Sequence, residues 1–274
     1  DDSERLEAIL SLSNTLDSEE RCIAAARRDD VVHMAVTLLD AKDVKMRRGI
    51  LAFLRKLVLP PPNKITLLPQ VLPLVAPCVR AEEGTVQYEA VCLLRALTQG
   101  AQRETIVEIA TGCNCEDEIV ALSESEKLLR TQTGQTLWTN VEAARVVTCF
   151  TTWAPATRHP RQLTAALKLA KMKPAILRRE ALEALAAFEF TAADWAAFAE
   201  EKRDEVVVVL CDILRSGSVE LLPTATRAVT ALMSAAAIAD WRRGNAGEAL
   251  AAAVERAGDE DTAGQLRALL DRIK

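Results

Sequence analysis

Histidine is the side chain most often used for acid-base catalysis, and this chain has only two, His33 and His159. They lie far apart in the sequence, and neither belongs to a His-Glu-x-x-His or similar metal-ligand motif. His33 falls within an apolar helical pattern, where a structural role is the better interpretation. His159 precedes Pro160 in a predicted turn. The sequence therefore predicts no histidine-based catalysis.

One close pair of thiols, Cys113 and Cys115, flanks Asn114. A zinc site needs about four ligands, and no second thiol pair or histidine pair follows at finger-like spacing. We interpret this segment as a turn between two helices with one thiol buried, and we predict neither a metal site nor a cofactor. The seven cysteines are scattered and mostly lie in apolar helical patterns, which favours a reducing compartment.

The acidic clusters and glycines do not form a recognised catalytic or ion-binding motif. The run from Asp259 to Asp261 lacks the glutamate that a calcium loop needs at its twelfth position, which here is Leu270. We interpret these acids as a helix start, because carboxylates favour the positive end of a helix. The sequence has no glycine-rich phosphate loop, Gly-x-Ser-x-Gly elbow or kinase motif set. We predict that the chain is not an enzyme.

The composition indicates the scaffold that must carry any function. Of the 274 residues, 50% are hydrophobic and only 4% are aromatic, while glycine and proline number ten each, a balance that favours helices. The net charge of −5 is too mild for a nucleic-acid coat. No apolar run reaches the roughly 20 residues of a membrane-spanning helix, and the first residues lack a signal-peptide pattern. We expect an all-α, cytoplasmic or nucleocytoplasmic protein.

A short apolar segment followed by a longer helix recurs along the chain. In each longer helix, an aliphatic or small residue is followed by apolar residues four and seven positions later, so that the three share one stripe. The six triplets are Ile50/Leu54/Leu57, Ala90/Leu94/Leu97, Val146/Phe150/Trp153, Ala181/Leu185/Phe188, Ala225/Val229/Leu232 and Leu266/Leu270/Ile273. We predict that five of these residues are buried between neighbouring repeats: Leu94, Phe150, Trp153, Leu185 and Leu232.

The number of residues between the short segment and the long helix is twice as large before Val146 as in three other repeats. This difference predicts an insertion at about residues 123–140, which is loop-like, partly apolar and expected to protrude. Its apolar residues Leu128, Leu129 and Trp138 would bind a partner if they are exposed. The alternative is that Trp138 folds back and fills a gap between units.

The short segments resemble the Ile-Pro-x-Leu-Val-x-Leu-Leu second helix of armadillo repeats, most closely at Leu68 to Val75, and the longer helices resemble the third helix. Candidate first helices lie at residues 101–110, 191–202 and 235–243. The resemblance implies a right-handed α-solenoid of about six stacked repeats in a single domain, residues 1–274, with no sheet. The prolines at 69, 73 and 77 depart from the pattern and predict a short or kinked helix.

The resemblance also places certain residues of each third helix on the inner, concave face. They lie two before, two after and six after the first member of each triplet. Among these positions, one acid and five bases occur, and the bases are Arg48, Lys56, Arg179, Arg227 and Arg272. The resemblance thus implies a mildly basic groove that receives an acidic or helical segment of a protein partner, with Tyr88 as an anchor. Ordinary solvated surface charges are the alternative interpretation.

Nuclear-import adaptors of this family hold basic peptides with tryptophans and asparagines at inner positions where this chain has neither, so that function is disfavoured. The leading hypothesis is a noncatalytic interaction scaffold or adaptor. The alternative is a structural subunit of a larger assembly, which packs through its convex face or through the insertion.

Overall fold

A computed structural model describes residues 2–39, 42–126, 129–131, 133–153, 161–188, 191–235 and 238–274. The chain folds into two compact units, unit 1 (residues 1–157) and unit 2 (residues 158–274). Helices dominate both units, which confirms the all-α prediction. Among the described residues, no helix combines the length and apolarity that a membrane crossing requires. His159, Lys127 and Leu128 lie outside the described residues.

Unit 1 contains nine helices and one hairpin within its described part. They are α1 (Asp2–Thr15), α2 (Glu19–Ala26), α3 (Asp29–Leu38), α4 (Val44–Leu57), α5 (Pro61–Val79), α6 (Gly84–Thr98), α7 (Arg103–Gly112), α8 (Glu116–Glu124), β1 (Leu129–Arg130), β2 (Thr136–Leu137) and α9 (Thr139–Trp153). The predicted stripe helices α4, α6 and α9 pack against one another in order, and α1 packs against α4. Helix α1 therefore occupies a third-helix position that the sequence analysis missed.

Unit 2 contains eight helices and a 3-10 turn within its described part. They are α10 (Gln162–Ala170), α11 (Ala175–Ala187), α12 (Ala192–Ala197), α13 (Glu200–Ser216), the turn Val219–Leu221, α14 (Leu222–Ala235), α15 (Ile238–Arg243), α16 (Ala246–Arg256) and α17 (Glu260–Ile273). The stripe helices again pack side by side, α11 against α14 and α14 against α17.

The core of each unit is built from the predicted stripes. Leu94, Phe150, Leu185 and Leu232 are fully buried, which confirms the predicted burial of these stripe residues. The side chain of Trp153 lies outside the described part of the structure. A buried aliphatic stripe on each helix explains why the helices stack, since no helix can hide its own apolar face.

Helix α5 corrects the prediction of a short helix, because it runs unbroken through 19 residues despite its three internal prolines. Pro69, Pro73 and Pro77 share one solvent-exposed stripe with Ile65, at intervals of four residues. Each proline removes one hydrogen bond to the carbonyl four residues earlier. These carbonyls belong to residues on the same exposed stripe, so that water can satisfy them.

The insertion corrects the prediction that no sheet would occur. Strands β1 and β2 pair antiparallel, with Leu129 opposite Leu137. Leu137 is buried, and Leu129 packs so closely on the start of α6 that a Cβ atom added to Gly84 would lie 2.6 Å from it. Trp138, in contrast, is 50% exposed. Leu129 and Leu137 thus fold back on the helices of unit 1, whereas half of the Trp138 side chain remains exposed.

Substituting Gly84 by alanine should displace the Leu129 side chain and lower the free energy of unfolding by about 1 kcal/mol, because the new methyl group would overlap its Cδ1 atom. Urea unfolding measures the loss, and faster hydrogen exchange at residues 133–137 would locate it. Gly264→Ala in α17 is the matched control. Its Cβ would meet no atom within 4 Å, so helix propensity should raise stability by about 0.5–1 kcal/mol. Equal gains in both variants would contradict the docking.

Candidate functional site

The predicted inner face of unit 1 is only partly accessible. Arg48 is exposed and Tyr88 is half-buried. Lys56 donates a hydrogen bond to the backbone oxygen of Ser13 at 3.0 Å, so that it ties α4 to α1. Two of the three predicted inner residues are buried on each of the next two stripe helices, so these positions offer no surface to a partner. They are Cys92 and Ala96 on α6, and Ala144 and Thr148 on α9.

The accessible side of α9 carries a stripe that shares only Thr152 with the predicted inner positions. Its half-buried residues are Glu142, Arg145, Cys149 and Thr152, at intervals of three and four positions. Helix α9, which follows the hairpin insertion, packs against α6, α7 and α8. Residues 141–152 of this helix are all buried or half-buried, so α9 offers little accessible surface.

Ion pairs connect the successive stripe helices of unit 1, and the sequence analysis missed them. Arg55 of α4 lies 3.1 Å from the Glu89 carboxylate of α6. Arg95 of α6 lies 3.1 Å from Glu142 of α9, and Arg145 lies 3.7 Å from the same carboxylate. The available signal was an arginine five positions after the first member of the triplet in both α4 and α6.

Burial changes the acidity of one of these carboxylates. The Glu89 side chain is only 8% exposed, and burial raises the pKa of its carboxyl, while the nearby cations Arg55 and Arg48 oppose the shift. Arg55, Arg95 and Arg145 are thus engaged with carboxylates of the stripe helices. These three cations are less available to an acidic partner than solvated arginines.

The predicted anchor Tyr88 lies beside the Cys92 thiol, one helical turn later, and interacts with it. Burial raises the pKa of the Tyr88 hydroxyl, and it raises the pKa of Cys92 to about 11. Both groups are therefore protonated at neutral pH. Tyr88 can offer a partner the edge of its ring, but its hydroxyl already has a neighbour.

The thiols of Cys113 and Cys115 are both buried, where one had been expected. They flank Asn114, whose positive φ of 47° forms the predicted turn between α7 and α8. A hydrogen bond between the thiols lowers the pKa of Cys113 and raises that of Cys115. Among the described residues, no three histidine, cysteine or acidic side chains are grouped so that they could hold a metal ion.

In unit 2, the predicted register places the basic residues on accessible helix faces. Arg179 of α11, Arg227 of α14 and Arg272 of α17 are all exposed. Three helices that pack side by side therefore present one arginine each. We call these three residues the arginine row.

The arginine row follows the axis of α14. The Arg179 guanidinium lies 4.0 Å from the carboxylate of Glu220, in the turn that leads into α14. Arg272 donates a hydrogen bond to the backbone oxygen of Met233, in the last turns of α14, at 3.4 Å. Arg227 stands between them. With a rise of 1.5 Å per residue, the levels of Glu220, Arg227 and Met233 are about 10 Å apart along the axis of α14.

Few charges oppose the arginine row. Within the described part of the chain, Arg227 has no carboxylate at ion-pair distance. Glu183, half-buried on α11, is the acidic residue among the predicted inner positions of unit 2. Thr230 and Ser234 of α14 donate their hydroxyl protons to carbonyls of the same helix. The face thus combines accessible guanidinium groups with a backbone that is already satisfied.

By sequence, no protein-family model matches the chain, and no curated protein matches it. Solved structures do match it. An engineered protein superposes with a TM-score of 0.71 at 19% identity, covering 100% of this chain and 65% of its own. A computationally designed armadillo repeat protein for modular peptide recognition gives 0.66 at 13% identity, covering 88% of this chain and 98% of its own.

A designed armadillo repeat protein in complex with the peptide (KR)4 also matches, with a TM-score of 0.59 at 13% identity over 84% of this chain and 92% of its own. The chain spans about two thirds of the engineered protein's length. At these identities the likeness is one of fold. It confirms the armadillo-like helical repeat architecture predicted from the sequence and identifies no particular member.

Proposed function

We propose that this armadillo-type chain is a noncatalytic protein-interaction scaffold that receives an acidic segment of a partner on the arginine row of unit 2. The observation that carries the proposal is the spacing of Arg179, Arg227 and Arg272 along α14. Guanidinium groups form charge-assisted hydrogen bonds with carboxylates, and these bonds are stronger than neutral ones.

The structural neighbours support the general class of this function. One was designed for modular peptide recognition, and another holds a peptide of lysines and arginines. The charge of this chain suits an acidic ligand, because the charged residues at the predicted inner positions of unit 2 are three arginines and one glutamate. The seven cysteines are free thiols, which fits the proposed cytoplasmic or nucleocytoplasmic setting.

The proposal is tested by affinity capture from an extract of the source cell, followed by mass spectrometry. We expect the Arg179→Glu/Arg227→Glu chain to capture at least about tenfold less of the main partner, because two attractive contacts become repulsive. Its thermal unfolding should be nearly unchanged, since both side chains are exposed.

A matched control reverses two exposed arginines of unit 1 that belong to no stripe, Arg27→Glu/Arg103→Glu. It alters the net charge equally but should preserve capture. Retained capture by the Arg179→Glu/Arg227→Glu chain would refute the arginine row as the binding surface. It would favour the second candidate function.

The second candidate is a structural subunit that packs through its convex face or through the insertion. The exposed indole of Trp138, which stands beside a hairpin whose leucines are covered, favours this use of the insertion. Under this alternative, Trp138→Ser would abolish capture while the arginine variants retain it.

A further inference from the structure

We infer that the ligand of the arginine row is an amphipathic α-helix with an acidic residue at every seventh position, lying along α14. This inference rests on the proposed function, because it specifies the partner of the same surface. It is carried by the spacing of the three arginines, by the absence of side-chain amides from α11 and α14, and by the small residues beside the row.

The spacing agrees with a helical ligand. Seven residues separate Glu220, the neighbour of Arg179, from Arg227, and six separate Arg227 from Met233, the neighbour of Arg272. Each interval corresponds to about 10 Å along α14. A second helix advances by the same distance in seven residues, or two turns. Its acids at every seventh position would therefore meet all three arginines.

The backbone requirements of the ligand also favour a helix. An extended peptide on a protein surface needs partners for its N–H and C=O groups. Side-chain amides could supply both kinds, but α11 and α14 contain no asparagine or glutamine, and Gln265 of α17 donates to Asp261 of its own helix. The exposed hydroxyls of α14 already donate to their own helix. A helical ligand needs no such partners because its backbone is internally hydrogen-bonded.

Small residues flank the row and permit close approach. Ala187 of α11 and Ala231 of α14 are half-buried, whereas Gly264 and Ala268 of α17 are exposed. Small side chains let helices pack at the short end of the usual distance of about 8–10 Å. Arginine side chains at the ends and centre could then enclose the ligand helix.

An apolar patch marks the end of the row at Arg179. Ile176 is 54% exposed and Val219 is 46% exposed. Ile176 precedes Arg179 by one turn of α11, and Val219 adjoins Glu220, so the Arg179–Glu220 pair places both aliphatic residues at the same end of α14. A large apolar residue of a ligand would cover these two exposed side chains, and removing their apolar surface from water would stabilise the complex. We therefore place such a residue one turn from the terminal acid of the ligand.

The test uses synthetic fluorescent peptides of about 20 residues, long enough to form some helix, and the full chain. The helical probe has an alanine- and glutamine-based sequence with glutamate at every seventh position and one leucine a turn before the first glutamate. The second probe has the same composition but places its glutamates at every fourth position. The third keeps the seven-residue spacing and contains two central prolines, which break the helix.

Fluorescence anisotropy should show that the helical probe binds at least about tenfold more tightly than either control, with an affinity that falls as salt is added. Arg227→Ala should remove most of this difference. Glu183→Gln should tighten binding several-fold, because it removes a repelling carboxylate from the face. Ile176→Ser should weaken the leucine-containing probe but not a leucine-to-alanine version.

Equal binding of the proline-containing probe would overturn the helical ligand, and equal binding of the four-residue spacing would overturn the register. Either result leaves the proposed acidic partner intact. A different outcome separates the two ideas: if no acidic probe binds and the Arg179→Glu/Arg227→Glu chain still captures its partner, the proposed function fails together with this inference.

Discussion

Replacement of Asp240 by alanine is expected to lower the free energy of unfolding by about 2–4 kcal/mol. The Asp240 side chain is buried in unit 2, on the short helix α15. One of its oxygens accepts a hydrogen bond from the indole nitrogen of Trp195 in α12 at 2.8 Å, and the other accepts one from Arg243 at 2.7 Å. Alanine removes both acceptors.

The cost arises mainly at Trp195, which is 1% exposed and would keep a buried N–H without a partner. Arg243 is less affected, because it also lies close to Glu200 and Asp204. Urea unfolding of the full chain measures the change. Asp240→Asn, which retains an acceptor oxygen, should cost about 1 kcal/mol.

Asp204→Ala is the control for the exposed part of the same network. It removes an ion pair with Arg243 whose side chains are both more than two-fifths exposed, so the expected cost is below about 0.5 kcal/mol. A double-mutant cycle with Trp195→Phe should give a coupling of about 1–3 kcal/mol with Asp240→Ala. Additive effects would show that the indole and the carboxylate do not depend on each other.

The hydrogen bond between Trp195 and Asp240 illustrates a kind of contact that the sequence could not predict. A stripe of apolar residues is local, since its members lie within two turns of one helix, and its burial follows from periodicity. The partner of a polar side chain can lie anywhere in the chain. Here the partners are separated by 45 positions and belong to short helices, α12 and α15, that have only a weak pattern of their own.

Hydrogen bonds from side chains to the ends of other helices could not be predicted from the sequence either. Buried Lys64 of α5 donates to the backbone oxygens of Ala96 and Gln99 at the end of α6. In unit 2, Arg256 donates to three backbone oxygens where α13 ends, among them that of Leu214. These cations replace the hydrogen bonds that the last turn of a helix lacks. In the sequence they are indistinguishable from surface charges.

The predicted inner positions of unit 2 are accessible, as the repeat pattern implied. Helices α11, α14 and α17 follow short connections, and Arg179, Arg227 and Arg272 are exposed. In unit 1 the agreement is poorer, because two of the three predicted inner residues of α6 and of α9 are buried. Whether an inner residue is accessible depends on the side chains of the neighbouring helices, which the pattern of a single helix does not contain.

A substitution in the core is expected to lower the free energy of unfolding by more than the Asp240 substitution does. Leu94→Ala should lower the free energy of unfolding by about 3–5 kcal/mol, because the substitution removes buried methyl groups and leaves a cavity that its neighbours fill only in part. Leu94 is completely buried in α6, which packs against α4, α5 and α9. Three rigid helices surround the site, which limits how far it can collapse.

The matched control is Leu59→Ala in the connection between α4 and α5. Its side chain is 52% exposed, so the same chemical change should cost less than about 1 kcal/mol. Urea unfolding of both variants, with the slope of the transition compared, separates a loss of stability from a change in the unfolded state. If Leu94→Ala cost no more than Leu59→Ala, the stripe would not be the core of the repeat. The prediction of the arginine row would then be unsupported, because the stripe and the row were derived from the same alignment of the long helices.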